Sequence, residues 1–246
     1  MTGVFADRFA GRSALVTGGA KGVGAAIAIR IAAEGGRVTV ADVDRRSGDR
    51  LSAEFGCVFV ELDVSDPAAV ERALADGAFD VVVNNAGIDQ HAFFTRSTPQ
   101  DWRRLLSVNL ESVFSVCRAT LPAMQEKGYG RIVNIGSEAG RLGSKGGSVY
   151  AATKGALIAF TRSLAIENAR YGITANVVAP GPVRTPLLED AVAGGGDALL
   201  EAMVGSTLMK RLGDPEEVAA VVAFVASEEA SFVTGETIGV SGGMGL

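Results

Sequence analysis

A loop of three spaced glycines, set between an apolar strand and a helix, constrains this chain more than any other feature. Residues 13–17 (Ser-Ala-Leu-Val-Thr) read as a buried strand, and Gly18, Gly22 and Gly24 follow in the spacing Gly-x-x-x-Gly-x-Gly before a helical stretch over 25–34. Glycine permits a tight turn there and lets backbone N–H groups at a helix N-terminus approach an anion closely. The rest of the chain keeps the same alternation. Short apolar runs at 37–42, 57–63, 79–85, 131–135, 174–179 and 237–240 read as strands. Helical patterns start near Pro67 and span 99–126, 150–170 and 215–227. Continuously apolar strands separated by helices predict an α/β fold: a doubly wound parallel sheet of seven strands with helices on both faces.

Composition narrows the function. The chain has 246 residues, 48% hydrophobic and 21% charged, enough for a large core without metal or disulfide support. A net charge of −5 argues against a nucleic-acid-coating role. Two cysteines, Cys57 and Cys117, and one histidine, His91, do not make a metal framework. No apolar run approaches the roughly 20 residues of a spanning helix. Residues 1–9 lack the apolar segment of a signal peptide. The expectation is one cytoplasmic domain over 1–246, with no metal and no membrane or nucleic-acid partner, and one insertion at 187–211.

Ligands of open α/β sheets collect at the carboxyl ends of the strands. Asp42 ends the second strand about 20 residues past the glycine loop, where a carboxylate accepts hydrogen bonds from ribose hydroxyls and repels a 2′-phosphate. It favours NAD. Lys21 in the loop and Arg45-Arg46 after the strand favour NADP, the minority reading. Asp63-Val64 and Asn84-Asn85-Ala86-Gly87 end two further strands.

Ser137 follows the fifth strand, and Tyr150 and Lys154 share one face of the second long helix at i, i+4. An ammonium beside a phenol favours the phenolate, which would make Tyr150 a usable general acid/base with Ser137 holding a substrate oxygen. Taken singly, each has a plainer reading as a solvated helix face or a turn residue. Asn109 is either a solvated polar residue or a buried one needing partners.

Together these segments resemble the short-chain dehydrogenase/reductase family. The matching stretches are Thr17-Gly18-Gly19-Ala20-Lys21-Gly22-Val23-Gly24, Asp63-Val64, Asn84-Asn85-Ala86-Gly87, Asn109, Ser137, Tyr150-Ala151-Ala152-Thr153-Lys154 and Pro180-Gly181, in the family's order across nearly the whole chain. The resemblance implies a Rossmann-like fold and hydride transfer between a nicotinamide and a secondary alcohol or ketone. It implies that Tyr150 is the acid/base, and that Lys154 lowers its pKa and holds the nicotinamide ribose. Ser137 would orient the substrate oxygen, and Asn109 would hold a relay water. Asn85 would contact the adenosine side, with Ala86 and Gly87 beside it. Thr185 would bind the carboxamide, with Pro180, Gly181 and Val183 in the same wall. The family usually forms homotetramers through the two long helices. Some segments look nearest to 2-hydroxycyclohexanecarboxyl-CoA-type dehydrogenases and 3-oxoacyl-carrier-protein reductases.

The insertion is apolar with charged punctuation and is interrupted by Gly194-Gly195-Gly196. It reads as a two-part lid hinged at the glycines, or as an ordinary surface helix pair. Leu187 on it, with Ser137, Tyr150 and Arg141, makes the expected substrate set. Phe93, Phe94 and residues 138–142 are further pocket candidates. Their mixed character suggests a largely apolar substrate with one reacting oxygen, with His91 a loop residue near the mouth; an acyl-thioester substrate is what the resemblance to the CoA-type dehydrogenases and carrier-protein reductases implies. Three functions compete: an NAD-dependent alcohol dehydrogenase, an NADPH-dependent 3-oxoacyl thioester reductase, and a nucleotide-sensing regulator without catalysis. The intact Ser137, Tyr150, Lys154 and Asn109 disfavour the last.

Overall fold

The computed structural model describes residues 5, 7–75, 77–89, 92–186, 188–189, 192 and 196–246. Its strands are β1 (Ser13–Thr17), β2 (Arg37–Asp42), β3 (Val58–Glu61), β4 (Val81–Asn84), β5 (Gly130–Ile135), β6 (Ile173–Pro180) and β7 (Thr237–Val240). They form one sheet in the order β3-β2-β1-β4-β5-β6-β7, and every pairing is parallel. The chain reverses its direction of growth between β1 and β4, the crevice where such sheets bind ligands.

The helices are α1 (Gly22–Ala33), α2 (Arg45–Phe55), α3 (Pro67–Leu74), α4 (Pro99–Leu106), α5 (Ser112–Lys127), α6 (Ala139–Leu142), α7 (Ser148–Asn168), α8 (Asp197–Gly205) and α9 (Pro215–Val225). Successive strand residues point to opposite faces. Val16, Val81 and Val83 therefore pack in one core with Ile27 and Ile31 of α1 and Val218 and Val222 of α9. Leu15 and Val82 pack in the other with Val113, Val116 and Cys117 of α5 and Leu157 and Leu164 of α7. All residues of β4 and β5 are buried, as continuously apolar strands require when both faces are covered.

Helix starts follow local chemistry. Asp66 accepts the Ala68 and Ala69 N–H groups (3.0 and 3.1 Å) ahead of Pro67 at the first helical position of α3. Capping boxes open α4 at Thr98 and Asp101 and α9 at Asp214 and Glu217. β1, β2 and β7 lie where the sequence places them. The expected helix over 99–126 is present but is interrupted by a π-helical turn at Ser107–Glu111. α2 and α6, which the sequence reading did not assign, complete the set.

Among the described residues, no helix is long and apolar enough to cross a membrane, and no cluster of three or more His, Cys, Asp or Glu is arranged to hold a metal.

Both thiols are free and buried. Burial pushes Cys117 up to about 12 and raises Cys57 as well. A thiol held protonated in the core is a poor nucleophile. Ellman's reagent at pH 8 is expected to find no reactive thiol in the native protein within minutes and two after guanidinium is added; fast native labelling would contradict this packing.

Candidate active site

The glycine loop is shaped by contacts that exclude side chains. Gly18 has φ +61°, and a Cβ on it would lie 2.7 Å from the Ala86 Cα. A Cβ on Gly24 would lie 2.2 Å from the Gly18 carbonyl oxygen and 2.4 Å from Asn85 Nδ2. β4 closes this packing: Asn85 Nδ2 donates to the Thr17 and Gly18 carbonyls (3.1 and 2.8 Å). Thr17 Oγ1 in turn accepts the Asn85 and Ala86 N–H groups (3.1 and 3.3 Å). The Asn85 Nδ2 is thus engaged on the loop; the resemblance placed this residue on the adenosine side. Thr17 is a structural member of the site that the sequence reading quoted without giving it a role.

A dinucleotide fits this surface on the protein's own terms. α2, α3 and α4 begin on side-chain caps; α1, like α5 and α7, begins with none, and it has no acidic residue in its first turn. Its N–H groups and dipole end are available to a pyrophosphate. Gly22 has φ +53°, and a Cβ there would reach 3.4 Å from the Thr185 Cγ2. Thr185 therefore faces the loop across the crevice, next to Val183 and the Pro180-Gly181 end of β6.

The charges around the second strand bear on both cofactor readings. Asp42 Oδ2 accepts the Ala20 N–H (2.9 Å), and its Oδ1 accepts the Asp44 N–H (3.0 Å). Lys21 is paired with Asp44, whose carboxyl this contact and the Ser47 hydrogen bonds hold down at about 2. Arg45 is paired with Glu61 (2.9 Å). Two of the three cations that favoured a 2′-phosphate are thereby engaged by carboxylates. Asp63 is exposed and accepts the Ser65 N–H and hydroxyl (2.9 and 2.7 Å), a local turn that leaves buried Val64 at the strand edge.

The chemical residues converge on the carboxyl end of β5. Lys154 is 4% exposed and donates to the Ile135 carbonyl (2.9 Å). Its Nζ lies 5.8 Å from the centroid of the Tyr150 ring. Tyr150 is hydrogen-bonded to Ser137, whose Oγ also accepts the Ala139 N–H (3.1 Å). Asn109 sits in the π-helical turn, fully buried, and resolves to the partnered reading. Its Oδ1 accepts the Ile88 N–H (2.8 Å), and its Nδ2 donates to the Ile88 carbonyl (2.9 Å) and to Thr153 Oγ1 (3.4 Å). Gly87 borders both groups: a Cβ on it would lie 3.3 Å from Asn109 Oδ1 and 3.5 Å from Lys154 Nζ.

The electrostatics differ from the sequence expectation in one respect. In the protein by itself burial, together with the nearby Asp89 carboxylate, pushes the Tyr150 phenol up to about 12, against the lowering by its Ser137 hydrogen bond. Burial lowers Lys154 to about 8, offset in part by Asp89. Desolvation of the phenolate outweighs the attraction of an ammonium that burial has itself weakened.

The Arg141 Nη1 is bonded to the buried Glu138 carboxylate (3.0 and 3.2 Å), which packs beneath Gly239 of β7. One of its guanidinium nitrogens is thus engaged within the fold. Leu187 and His91, with Ala191 and Gly194-Gly195, lie outside the described residues. Residues 186, 188, 189 and 192 are helical and α8 follows. Phe93 and Phe94 are exposed, and Phe94 stacks on Trp102 at 5.3 Å. Asp89, two residues past Gly87, went unread as a site residue; its place directly after the Asn-Asn-Ala-Gly-Ile run was the available signal.

Comparison with known proteins follows the same lines. A family model described as enoyl-(acyl carrier protein) reductase matches residues 18–245. The chain is 40% identical to the 3-oxoacyl-(acyl-carrier-protein) reductase FabG of Escherichia coli (strain K12), covering 96% of this chain and 98% of that protein. It is 42% identical to the 2-dehydro-3-deoxy-L-rhamnonate dehydrogenase (NAD(+)) of Sphingomonas sp. (strain SKA58), covering 98% of each. A solved short chain dehydrogenase/reductase family protein superimposes with a TM-score of 0.89 at 37% identity, covering 96% of this chain and 98% of that one.

Burial of Lys154 carries a pH signature. Its folded value of about 8 lies below the ordinary 10.5, so the unfolded chain binds the extra proton and stability rises with pH between those values. Lys154→Met removes this linkage. The stability of the variant relative to wild type is expected to fall by about 3 kcal/mol between pH 7 and pH 10. Urea unfolding across that range checks it; a pH-independent difference would contradict a depressed lysine.

Proposed function

The chain belongs to the short-chain dehydrogenase/reductase family, and from that premise we propose that it is an NAD(H)-linked dehydrogenase of a secondary alcohol or its ketone. At the coarser level it is an oxidoreductase of alcohol and carbonyl groups that uses NAD(P). The observation that carries the finer reading is the convergence of Ser137, Tyr150 and buried Lys154 on the strand end beside an uncapped α1 N-terminus. The choice of NAD rests on Asp42, with Lys21 and Arg45 held by Asp44 and Glu61.

In this reading Ser137 and Tyr150 hold the reacting oxygen between their hydroxyl groups. Tyr150 moves the proton at that oxygen, and Lys154 supplies the positive charge behind it from its anchor on the Ile135 carbonyl. With its phenol at about 12, the resting site holds the proton on Tyr150, the form that serves reduction of a ketone. The bound dinucleotide supplies a hydride-exchanging carbon and, when oxidised, a positive charge that favours the phenolate needed for alcohol oxidation. Asn109 holds the Ile88 backbone, and so the floor of the pocket, in addition to any relay water. Residues 187–211 serve as the lid of one domain.

A second reading, an NADPH-dependent 3-oxoacyl thioester reductase, draws on the name of the Escherichia coli relative. The segmental likeness to 2-hydroxycyclohexanecarboxyl-CoA dehydrogenases also points to an acyl-thioester substrate. The NAD reading accords with the name of the Sphingomonas relative. We further propose a cytoplasmic homotetramer. Free buried thiols suit a reducing compartment, and exposed Leu106, Phe114 and Ile166 on the long helices suit subunit contact.

Two outcomes test this reading. Tyr150→Phe is expected to bind NADH nearly as wild type while kcat falls by about 10² or more, measured by fluorescence titration and steady-state turnover; retained activity would remove Tyr150 from the reaction. Asp42→Ala is expected to shift the NAD/NADP ratio of kcat/KM toward NADP by about tenfold. An unchanged ratio would transfer cofactor choice to Lys21.

A further inference from the structure

We propose that Asp44 is a second determinant of cofactor choice: from the N-cap of α2 its carboxylate holds the Lys21 ammonium, so that the cation of the glycine loop is withheld from a 2′-phosphate. This deepens the NAD reading and rests on it.

Asp44 is fixed from several directions. Its N–H donates to Asp42 Oδ1 (3.0 Å), its Oδ1 accepts the Ser47 N–H (3.0 Å), and its Oδ2 accepts the Ser47 hydroxyl (3.0 Å). The turn that follows is pinned to the sheet. The Gly48 N–H donates to the Asp44 carbonyl (2.9 Å), and a Cβ on Gly48 would lie 2.1 Å from Phe59 Cε2 of β3. Asp44 cannot swing away without leaving the first turn of α2 uncapped. Lys21 approaches from the other side. It stands at the N-cap position of α1, and its neighbour Ala20 donates its N–H to Asp42 Oδ2 (2.9 Å). Asp42 is therefore bonded both to the loop and to the α2 cap, and the Lys21–Asp44 ion pair closes the ring. This ring lies at the carboxyl end of β2, where the adenosine ribose of a dinucleotide is recognised in such folds.

The charges decide what the ring admits. Each Asp42 oxygen accepts one N–H and keeps lone-pair capacity for a ribose hydroxyl, the group that NAD presents. A phosphate monoester brings nearly two negative charges and needs a cation free to meet it. Lys21 already faces a carboxylate, and the phosphate would meet both Asp42 and Asp44. The pair is partly exposed, with the Lys21 and Asp44 side chains 56% and 29% accessible, and such pairs add little to stability. Its effect falls on the ligand instead: without the Asp44 charge, Lys21 becomes a charge-assisted donor for the phosphate. Arg45 is held by Glu61, and exposed Arg46 is the neighbouring cation through which a phosphate would otherwise be met.

The test titrates wild type, Asp44→Asn, Lys21→Met and the double variant with AMP and adenosine 2′,5′-bisphosphate by calorimetry, and with NADH and NADPH by fluorescence. Asparagine caps a helix as well as aspartate does, so α2 keeps its start. Asp44→Ser introduces another capping residue and repeats the comparison if the first variant misfolds. Asp44→Asn is expected to tighten binding of the bisphosphate and of NADPH by about tenfold and to change that of AMP and NADH by less than about twofold. The gain should vanish in the Lys21→Met background and shrink in about 0.5 M salt. No gain, or the same gain with Lys21→Met, would overturn the assignment while leaving the NAD reading intact; the second result would give the effect to Arg46 or to the Asp44 charge alone. Wild type that binds NADPH as tightly as NADH would instead overturn the choice of NAD, and wild type that binds neither would overturn the dehydrogenase reading. This inference falls with either.

Discussion

One buried hydrogen bond organises the chemical half of this protein: the Lys154 ammonium on the carbonyl of Ile135, the last residue of β5. An ammonium taken out of water needs fixed acceptors, and a carbonyl at a strand end is a rigid one. The bond ties α7 to the sheet one turn beyond Tyr150. The phenol, Ser137 and the lysine are then held by the same strand end. Their mutual geometry is set by the core rather than by loops, which is the condition for a preorganised site.

The dinucleotide half depends on a different constraint, backbone approaching backbone. Gly18 and Gly24 lie so close to each other and to Asn85 and Ala86 that no side chain fits, and Thr17 and Asn85 lock the approach with hydrogen bonds. The loop is stiffened from β4, the strand across the topological switch. One consequence is that residues 85–88 serve both halves. Asn85 braces the loop, Gly87 makes room beside Lys154, and Ile88 sits on Asn109.

Much of this was legible in the residues. Strands buried on both faces leave continuous apolar runs, so β1, β2 and β7 could be delimited from the sequence, and Pro67, with Ser65 or Asp66 ahead of it, marked a helix start. α2 was not read because its residues are mostly polar, and it buries only Ser47, Gly48 and Leu51. The π-helical turn at Asn109 leaves no mark in periodicity; the buried amide and its two bonds to Ile88 account for it only in three dimensions. Spacing put Tyr150 beside Lys154, but the direction of the phenol's shift depends on burial and on Asp89, neither visible in an i, i+4 pattern. The Arg141 bond to Glu138 was hidden for a similar reason: Glu138, three positions earlier, is drawn inward beneath Gly239 and takes one guanidinium nitrogen with it.

The most direct measurement follows isotope rather than rate. A secondary alcohol deuterated at its carbinol carbon is incubated with the protein and NAD in ordinary water, and the reduced nucleotide is analysed by NMR. The account predicts one deuterium on the nicotinamide C4 per ketone formed, on a single face, with none lost to solvent. Deuterium released to water, or ketone formed without labelled NADH, would contradict direct hydride transfer at this site.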